Sequence, residues 1–405
     1  MSYGLTYTPY NTNLFLDARG INPDAAAFIA AAGITNTTEI DAVNTLVNGL
    51  QSDGLWSKMK AVYPFVTDNR NLLSYTNTLT QISYWNQVSV TLTSGQTDPT
   101  GGTNATRIVG TGAASLYGLI SLTAGATYTL SCYVKSTSGS NQTFRIYANG
   151  GSPFSPNLTA TSTWQQVTLT FTALAGTNSF GITRDSSTNN FDILAYGIQM
   201  ELGSTATTYQ PIATTQQSYI SNQFKYNLKD PRDLDAAFRL VFNGGWTHSS
   251  TGATPNGTNG YADTFLTPSS VLSLNSTHLS YYSRTNVIGN QAEMGVGSTN
   301  PCYILFNYNG LAYAGLNGTE GFRVSAANPT TGLLIGSRIV NTEEKYYTNN
   351  VSQTRTQLST VIPSLKVFLG AYNPNNIAAN LFSSKQAAFA SIGNGLTDTE
   401  AANLY

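Results

Sequence analysis

Charge is what this 405-residue chain has least of: only 10% of its residues are Asp, Glu, Lys or Arg, against about 25% in ordinary soluble domains. Lys and Arg number 19 and Asp and Glu 20, for a net charge of -1. No basic excess is available to neutralise phosphates, which argues against nucleic-acid binding. Disordered chains combine low hydrophobicity with high net charge, so the same balance argues against disorder. No apolar run approaches the roughly 20 residues of a membrane-spanning helix, and no membrane insertion is expected. Met1-Ser2-Tyr3-Gly4-Leu5-Thr6 has neither the basic nor the apolar segment of a signal peptide, so synthesis in a cytoplasm without the usual export is expected.

Residues that carry chemistry are equally scarce. Cys132 and Cys302 are the only cysteines and fall in different expected domains. Each reads as a buried apolar side chain and not as half of a disulfide. The two histidines, His248 and His278, stand at no ligand spacing that would hold zinc, and read as structural or surface residues. Neither a phosphate-binding Gly-x-x-x-x-Gly-Lys loop nor a Gly-x-Ser-x-Gly nucleophile elbow stands in a suitable context. A glycosidase needs two carboxylates roughly 5 to 9.5 Å apart. Asp230, Asp233 and Asp235 lie beside Lys229, Arg232 and Arg239 and read as a salt-bridged helix start, while Glu343 and Glu344 before Lys345 read as a solvated loop. The expectation is that the chain is not an enzyme, with a polysaccharide depolymerase as the lesser alternative.

What replaces the charge is Thr, Ser, Asn and Gly, together with 24 Tyr and 17 Phe. That mixture suits antiparallel β-sandwiches rich in turns. Tyr128, Leu130, Cys132 and Val134 alternate with Thr129, Ser131, Tyr133 and Lys135; Phe144 and Ile146 alternate with Arg145 and Tyr147; Val167, Leu169 and Phe171 alternate with threonines. A period of two between Gly, Ser, Asn and Pro turns predicts strands with one face buried. Helices are expected near the N-terminus. Asn22-Pro23-Asp24 makes a start and Gly33 a stop, and Ile40, Val43, Leu46, Val47 and Leu50 share one face of a second helix. Thr397-Asp398-Thr399-Glu400 has the spacing of a capping box.

The fold class expected is mainly β: two antiparallel β-sandwiches preceded by a short arm and a helical segment. The boundaries expected are 1–20 for the arm, 21–66 for the helical segment, 67–215 for an inserted sandwich and 216–405 for the second sandwich. Asn71-Leu72-Leu73-Ser74-Tyr75 opens the insert and Ile198-Gln199-Met200-Glu201-Leu202-Gly203 begins its close. This pair resembles the carbohydrate-binding-module-like jelly rolls common in bacteriophage tail and fibre proteins. The blocks on either side, with Gly54-Leu55-Trp56-Ser57-Lys58-Met59 in the first and Asn227-Leu228-Lys229-Asp230-Pro231-Arg232-Asp233 and Phe242-Asn243-Gly244-Gly245-Trp246 in the second, resemble a bacteriophage structural protein with a concanavalin A-like, laminin-G-like sandwich. Together the resemblances cover all but the first 20 or so residues. They imply a virion protein of a fibre or surface appendage, made in the bacterial host cytoplasm. Its implied partners are other virion proteins and itself as a homo-oligomer, a trimer being the natural arrangement. The alternative is a ligand-free capsid decoration, neck or tail component.

The resemblance points to host-surface glycans as the ligand. Sugars bind by stacking apolar ring faces on aromatics while polar side chains take the hydroxyls. The outward strand positions Tyr133, Lys135, Arg145 and Tyr147, expected side by side on neighbouring strands, with Tyr117 approaching from a preceding loop, are the candidate glycan-binding residues. Trp56, Trp85, Trp164 and Trp246 read as core. Related sandwiches often hold a structural calcium; Asp192 and Glu201 are the candidate ligands here.

Overall fold

A computed structural model describes residues 19–185, 190–297, 301–319, 322–325, 330–375 and 379–405. All of the expected arm except residues 19 and 20 lies outside the described residues. Two compact units divide the chain: a central unit, Asn69–Tyr219, and a flanking unit built from the chain up to Asp68 together with Ile220–Tyr405. The flanking unit is left and re-entered at adjoining points. Asp68 accepts a hydrogen bond from Gln223 Nε2 at 2.9 Å, and the Phe65 and Phe224 rings meet edge-on at 5.5 Å.

In the flanking unit, α1 (Pro23–Ala32) starts as the local sequence dictates. The Asn22 side chain accepts the Asp24 amide, proline occupies the first turn, and Gly33 closes the helix in the left-handed region at φ 67°. Asn36 caps α2 (Thr37–Ser52), which buries Ile40, Val43, Val47 and Leu50. The strand β1 (Met59–Tyr63) follows.

The central unit is built on the strands β2 (Asn86–Gln96), β3 (Ala105–Ser121), β4 (Thr127–Ser136), β5 (Gln142–Tyr147), β6 (Leu158–Ala160), β7 (Gln165–Thr172), β8 (Thr177–Arg184) and β9 (Phe191–Leu202). They pair in the order β6-β5-β8-β3-β9-β4-β7, with β2 against β3. The long strand β3 decides the architecture. Thr106 to Gly110 pair with β9, whereas Ser115 to Ser121 pair with β8, and Gly112 between them takes φ 59°. The two halves of β3 therefore serve two layers. Inward side chains of both layers, among them Leu116, Ile146 and Phe180 from one and Leu130, Ile193 and Met200 from the other, form one buried core. Trp85 belongs to it, with Nε1 donating to the Tyr75 carbonyl at 3.0 Å.

A helix, α3 (Gln216–Phe224), leads into the remaining strands. These are β10 (Val241–Asn243), β11 (Trp246–Ser249), β12 (Gly252–Pro255), β13 (Tyr261–Asp263), β14 (Thr277–Ser283), β15 (Met294–Val296), β16 (Cys302–Tyr308), β17 (Leu311–Leu316), β18 (Phe322–Ser325), β19 (Gly332–Arg338), β20 (Glu343–Thr348), β21 (Val351–Thr356), β22 (Phe368–Leu369), β23 (Tyr372–Asn373) and β24 (Ala387–Gly393). One sheet runs β11-β12-β24-β14-β19-β20-β21 with β1 on β24; the other runs β10-β13-β22-β15-β16-β17-β18 with β23 on β15. They face each other, Tyr281 meeting Phe306 at 6.2 Å. At Gly336 any side chain would press on Ala314 and Leu316. Part of the far face of the first sheet is covered. Leu333, Ile335 and Tyr347 pack with Phe28, Val43 and Val47, so the helical segment buries its apolar faces on this sheet. The mainly β expectation is met, and the terminal helix Asp398–Leu404 has its capping box, with Thr397 and Glu400 bonding reciprocally.

Candidate functional site

The central sandwich presents two outer faces. On the β3–β8–β5 layer, the register sets Tyr117, Gly181 and Tyr147 in one row and Ser115, Thr183 and Arg145 in the next. The Tyr147 hydroxyl lies 3.2 Å from Ser115 Oγ, two strands away. Its ring must therefore lie across β8, where Gly181 contributes no side chain. Phe154 packs on this ring at 5.6 Å, and the Arg145 guanidinium covers Phe154 at 4.4 Å. Tyr147 is left 7% exposed, and burial raises its hydroxyl pKa. The ring expected to stack on sugar is covered. What this face offers solvent is Tyr117 beside the exposed Val88, Leu119 and Phe154.

The β9–β4–β7 layer presents a different surface. Tyr133 pairs with Tyr196 on one side and Gln166 on the other; in the next row Lys135 pairs with Leu194, which faces Arg107 on β3. Ring centroids of Tyr133 and Tyr196 lie 6.1 Å apart, and those of Tyr196 and Tyr209 5.0 Å apart. Tyr209 settles over Gly197, whose φ of 64° marks a bulge in β9 and whose Cβ position the ring would occupy. All three tyrosines are half-buried, and the Tyr209 hydroxyl lies 2.9 Å from the hydroxyl of the buried Thr76. A loop borders them. Asp98 accepts from the Thr100 hydroxyl at 2.7 Å and from the amides of Thr100, Gly102 and Asn104 at 2.8 to 3.1 Å. Burial opposes ionisation of Asp98, but these bonds outweigh it and hold the carboxyl below its ordinary pKa. Tyr196 is raised by burial and then by this charge.

The five expected glycan residues thus do not share a surface. Strands β4 and β5 are separated by β9, β3 and β8, so Tyr133 and Lys135 lie on one layer and Tyr117, Arg145 and Tyr147 on the other. Tyr117 sits within β3 and not on a loop. Sequence reasoning missed Tyr196, Tyr209 and Gln166. The alternation Ala195, Tyr196, Gly197, Ile198 carried the clue, since glycine inside a strand pattern signals a bulge. The candidate calcium ligands also part. Asp192 and Glu201 stand near opposite ends of β9, roughly 30 Å apart along an extended strand. Asp192 holds Arg107 in a two-pronged ion pair at 2.8 and 2.6 Å, and Glu201 accepts the Thr207 amide and hydroxyl at 2.9 and 2.5 Å. Among the described residues no cluster of three His, Cys, Asp or Glu is arranged to hold an ion.

Four of the carboxylates weighed above, Asp230, Asp233, Asp235 and Glu344, are engaged in ion pairs. Asp230 pairs with Arg232, and Asp233 and Asp235 pair with Arg239, around a single 3-10 turn at Asp235–Ala237. The expected solvated loop at Glu343 and Glu344 is the strand β20. Glu344 is 1% exposed and pairs with the buried Arg338 at 3.1 Å, because alternation along β20 points it between the sheets. Trp56, Trp164 and Trp246 are half-buried; Trp56 packs against the core of the helical segment and stacks under the Lys229 ammonium at 4.2 Å. Cys132 and Cys302 are buried in separate units.

Both histidines are buried. His278 is held between the Asn394 carbonyl at 2.6 Å and Ser391 Oγ at 3.0 Å, and His248 packs on Phe242 at 4.6 Å. Burial pushes each down to about 4, whereas an unfolded histidine titrates near 6.5. Each therefore contributes stability that is fully present above about pH 6.5 and is lost as the pH falls toward 4, where the unfolded chain alone takes up the proton. Glu344, raised by burial to about 7, opposes them over part of this window. Replacing His248 by Phe, which keeps a ring against Phe242, is expected to remove up to about 1.4 kcal/mol per pH unit of this slope. Urea unfolding of both proteins from pH 4 to 7 measures it, and parallel curves would mean that His248 is not held neutral.

No family model and no curated protein matches this sequence. Similar solved structures exist. One described as CBM4 shares 18% identity over 25% of this chain and 72% of its own, with a TM-score of 0.21. The CBM22-1 xylan-binding domain from Paenibacillus barcinonensis shares 13% identity over 36% of this chain and 96% of its own, at 0.25. The enzymatically active domain of tailspike protein 4 from Bacteriophage CBA120 shares 16% over 33% of this chain and 21% of its own, at 0.26.

Proposed function

We propose that this chain is a non-catalytic glycan-binding protein, displayed as part of a fibre or surface appendage of a bacteriophage particle and acting as a homo-oligomer. The observation that carries the binding reading is the tyrosine row Tyr133, Tyr196 and Tyr209, with centroids 6.1 and 5.0 Å apart on one sheet face. Gln166 and Lys135 flank it at neighbouring register positions. Half-buried rings on a rigid sheet offer apolar faces at little entropic cost, while amide, ammonium and phenol groups meet sugar hydroxyls. Weak single-site contacts of this kind gain avidity when copies are joined. The non-catalytic part is supported by the buried histidines and by carboxylates occupied in ion pairs. The virion part rests on the sequence resemblance of the opening, closing and flanking blocks.

A glycan array probed with the intact chain tests the binding reading. Tyr133→Ala with Tyr196→Ala is expected to weaken retention about tenfold or more. Unselective retention, or retention indifferent to both substitutions, would sink it. One observation favours a purely structural role: Val88, Leu119 and Phe154 lie exposed around Tyr117 on the opposite layer, as a surface covered by another protein would. In that case no glycan is retained, and Leu119→Lys blocks incorporation into particles.

A further inference from the structure

The central unit has one bare edge, the strand β2. Among the described residues it pairs with β3 alone. Asn86, Gln87 and Val88 stand opposite Tyr117, Leu116 and Ser115, and residues 90 to 93 stand opposite residues 110 to 107. Those two stretches of β3 belong to different layers, so β2 is the last strand of both. Eight of its 11 residues are exposed. The edges across the sandwich are slighter: β6 has 3 residues, and only 4 of the 8 in β7 are exposed.

The side chains show the same incompleteness. Leu92 lies opposite the fully buried Ile108 and Val90 opposite Gly110, on the inward face, yet both stay half-buried with no described strand beyond them. On the outward face Val88 is 43% exposed, and Leu119, just past Tyr117, is 52% exposed. An open edge offers its free N–H and C=O groups to another strand, and natural sheets guard against this with charge, proline, bulges or short strands. Asn86–Gln96 is long and holds neither charge nor proline. Its bulges, one at Ser89 with φ 49° and one before Gln96, leave residues 90 to 93 in straight register.

The missing charge also narrows the occupant. A two-fold axis sets a strand antiparallel to its own image, so a lone Lys or Asp near the axis faces its like and costs stability. An uncharged strand carries no such penalty. Self-pairing satisfies two bare edges in one contact and completes the burial of Val90 and Leu92 in both copies. A foreign partner has to bring a bare strand of its own. We propose that two copies of this chain pair β2 against β2, antiparallel about a two-fold axis, which gives the homo-oligomer proposed above its contact and asks nothing of the glycan site.

Sedimentation equilibrium of the full chain, up to about 100 μM, tests it. The wild type should form dimers or larger even-numbered assemblies. Val88→Lys with Thr91→Lys, at two exposed positions, should weaken association tenfold or more. Val88→Thr with Thr91→Val keeps the strand uncharged and β-branched, and should associate as the wild type does. Amide hydrogen exchange locates the contact: exchange at residues 90 to 93 should slow as the wild-type concentration rises, and should not in the lysine variant. A trimer overturns the inference while the homo-oligomer stands. So do association that ignores the lysine pair, equal loss in both variants, and exchange in β2 that ignores concentration. A monomeric wild type overturns both.

Discussion

Lys385→Met is expected to destabilise the flanking unit by roughly 3–5 kcal/mol, although it exchanges one unbranched side chain for another of similar length. Lys385 and Glu293 are both 0% exposed, with Nζ 3.2 Å from Oε1. The carboxylate also accepts the Phe306 amide at 2.7 Å and the Ser383 hydroxyl at 3.2 Å. Burial already raises the Glu293 pKa, with the Lys385 ammonium pulling against it. Without that ammonium the carboxyl must either stay charged in a dry interior or take up a proton. A carboxyl raised above its unfolded value loses stability as the pH rises through its folded value, so the deficit of Lys385→Met should be smaller at pH 5 than at pH 8. Glu293→Gln in the same chain restores a neutral acceptor and should recover most of the loss. Urea unfolding of wild type, the two single variants and the double variant closes the cycle. A single-variant cost below about 1 kcal/mol, equal to that of the double, would mean that the pair is not truly dry.

The capping residues Asn22, Gly33, Thr397 and Glu400 were legible in the sequence because caps are local: donor, acceptor and backbone lie within four residues of each other. The inward set Tyr128, Leu130, Cys132 and Val134 was legible for a similar reason, since period two assigns each residue to a face of its own strand. Period two does not say which layer the strand joins. That depends on β3 changing partners around Gly112, between positions 110 and 115, and on this the expected clustering of Tyr133 with Arg145 failed. Glu344 was misread because its partner, Arg338, meets it only through the β19–β20 turn, where Arg338 also donates to the Leu316 carbonyl at 2.6 Å. Two adjacent glutamates on paper resemble a wet loop. In a strand they point to opposite sides, and Glu343 stays at the rim while Glu344 is buried.

Gly181→Ala is the second large effect expected, at about 3 kcal/mol or more in the central unit. The position lies in mid-strand, with φ outside the left-handed region, so the cause is not backbone strain but close approach. A Cβ there would collide with the Leu116 carbonyl oxygen and stand 2.8 Å from Tyr117 Cα. Those contacts are backbone, and no rotamer change relieves them. The collision would part β8 from β3 at the register pair Gly181–Tyr117 and lift Tyr147, whose ring uses the gap to reach Ser115. Gly118, on β3 one residue further along, provides the contrast. Its Cβ would stand 2.6 Å from the Phe180 ring, a side chain buried against Trp85 that can still shift where a backbone carbonyl cannot, so Gly118→Ala should cost less despite a comparable clash. Thermal unfolding of the two variants decides the order. If Gly181→Ala is the milder, the β3–β8 spacing yields easily, and the packing of Tyr147 across the strand is not what that glycine serves.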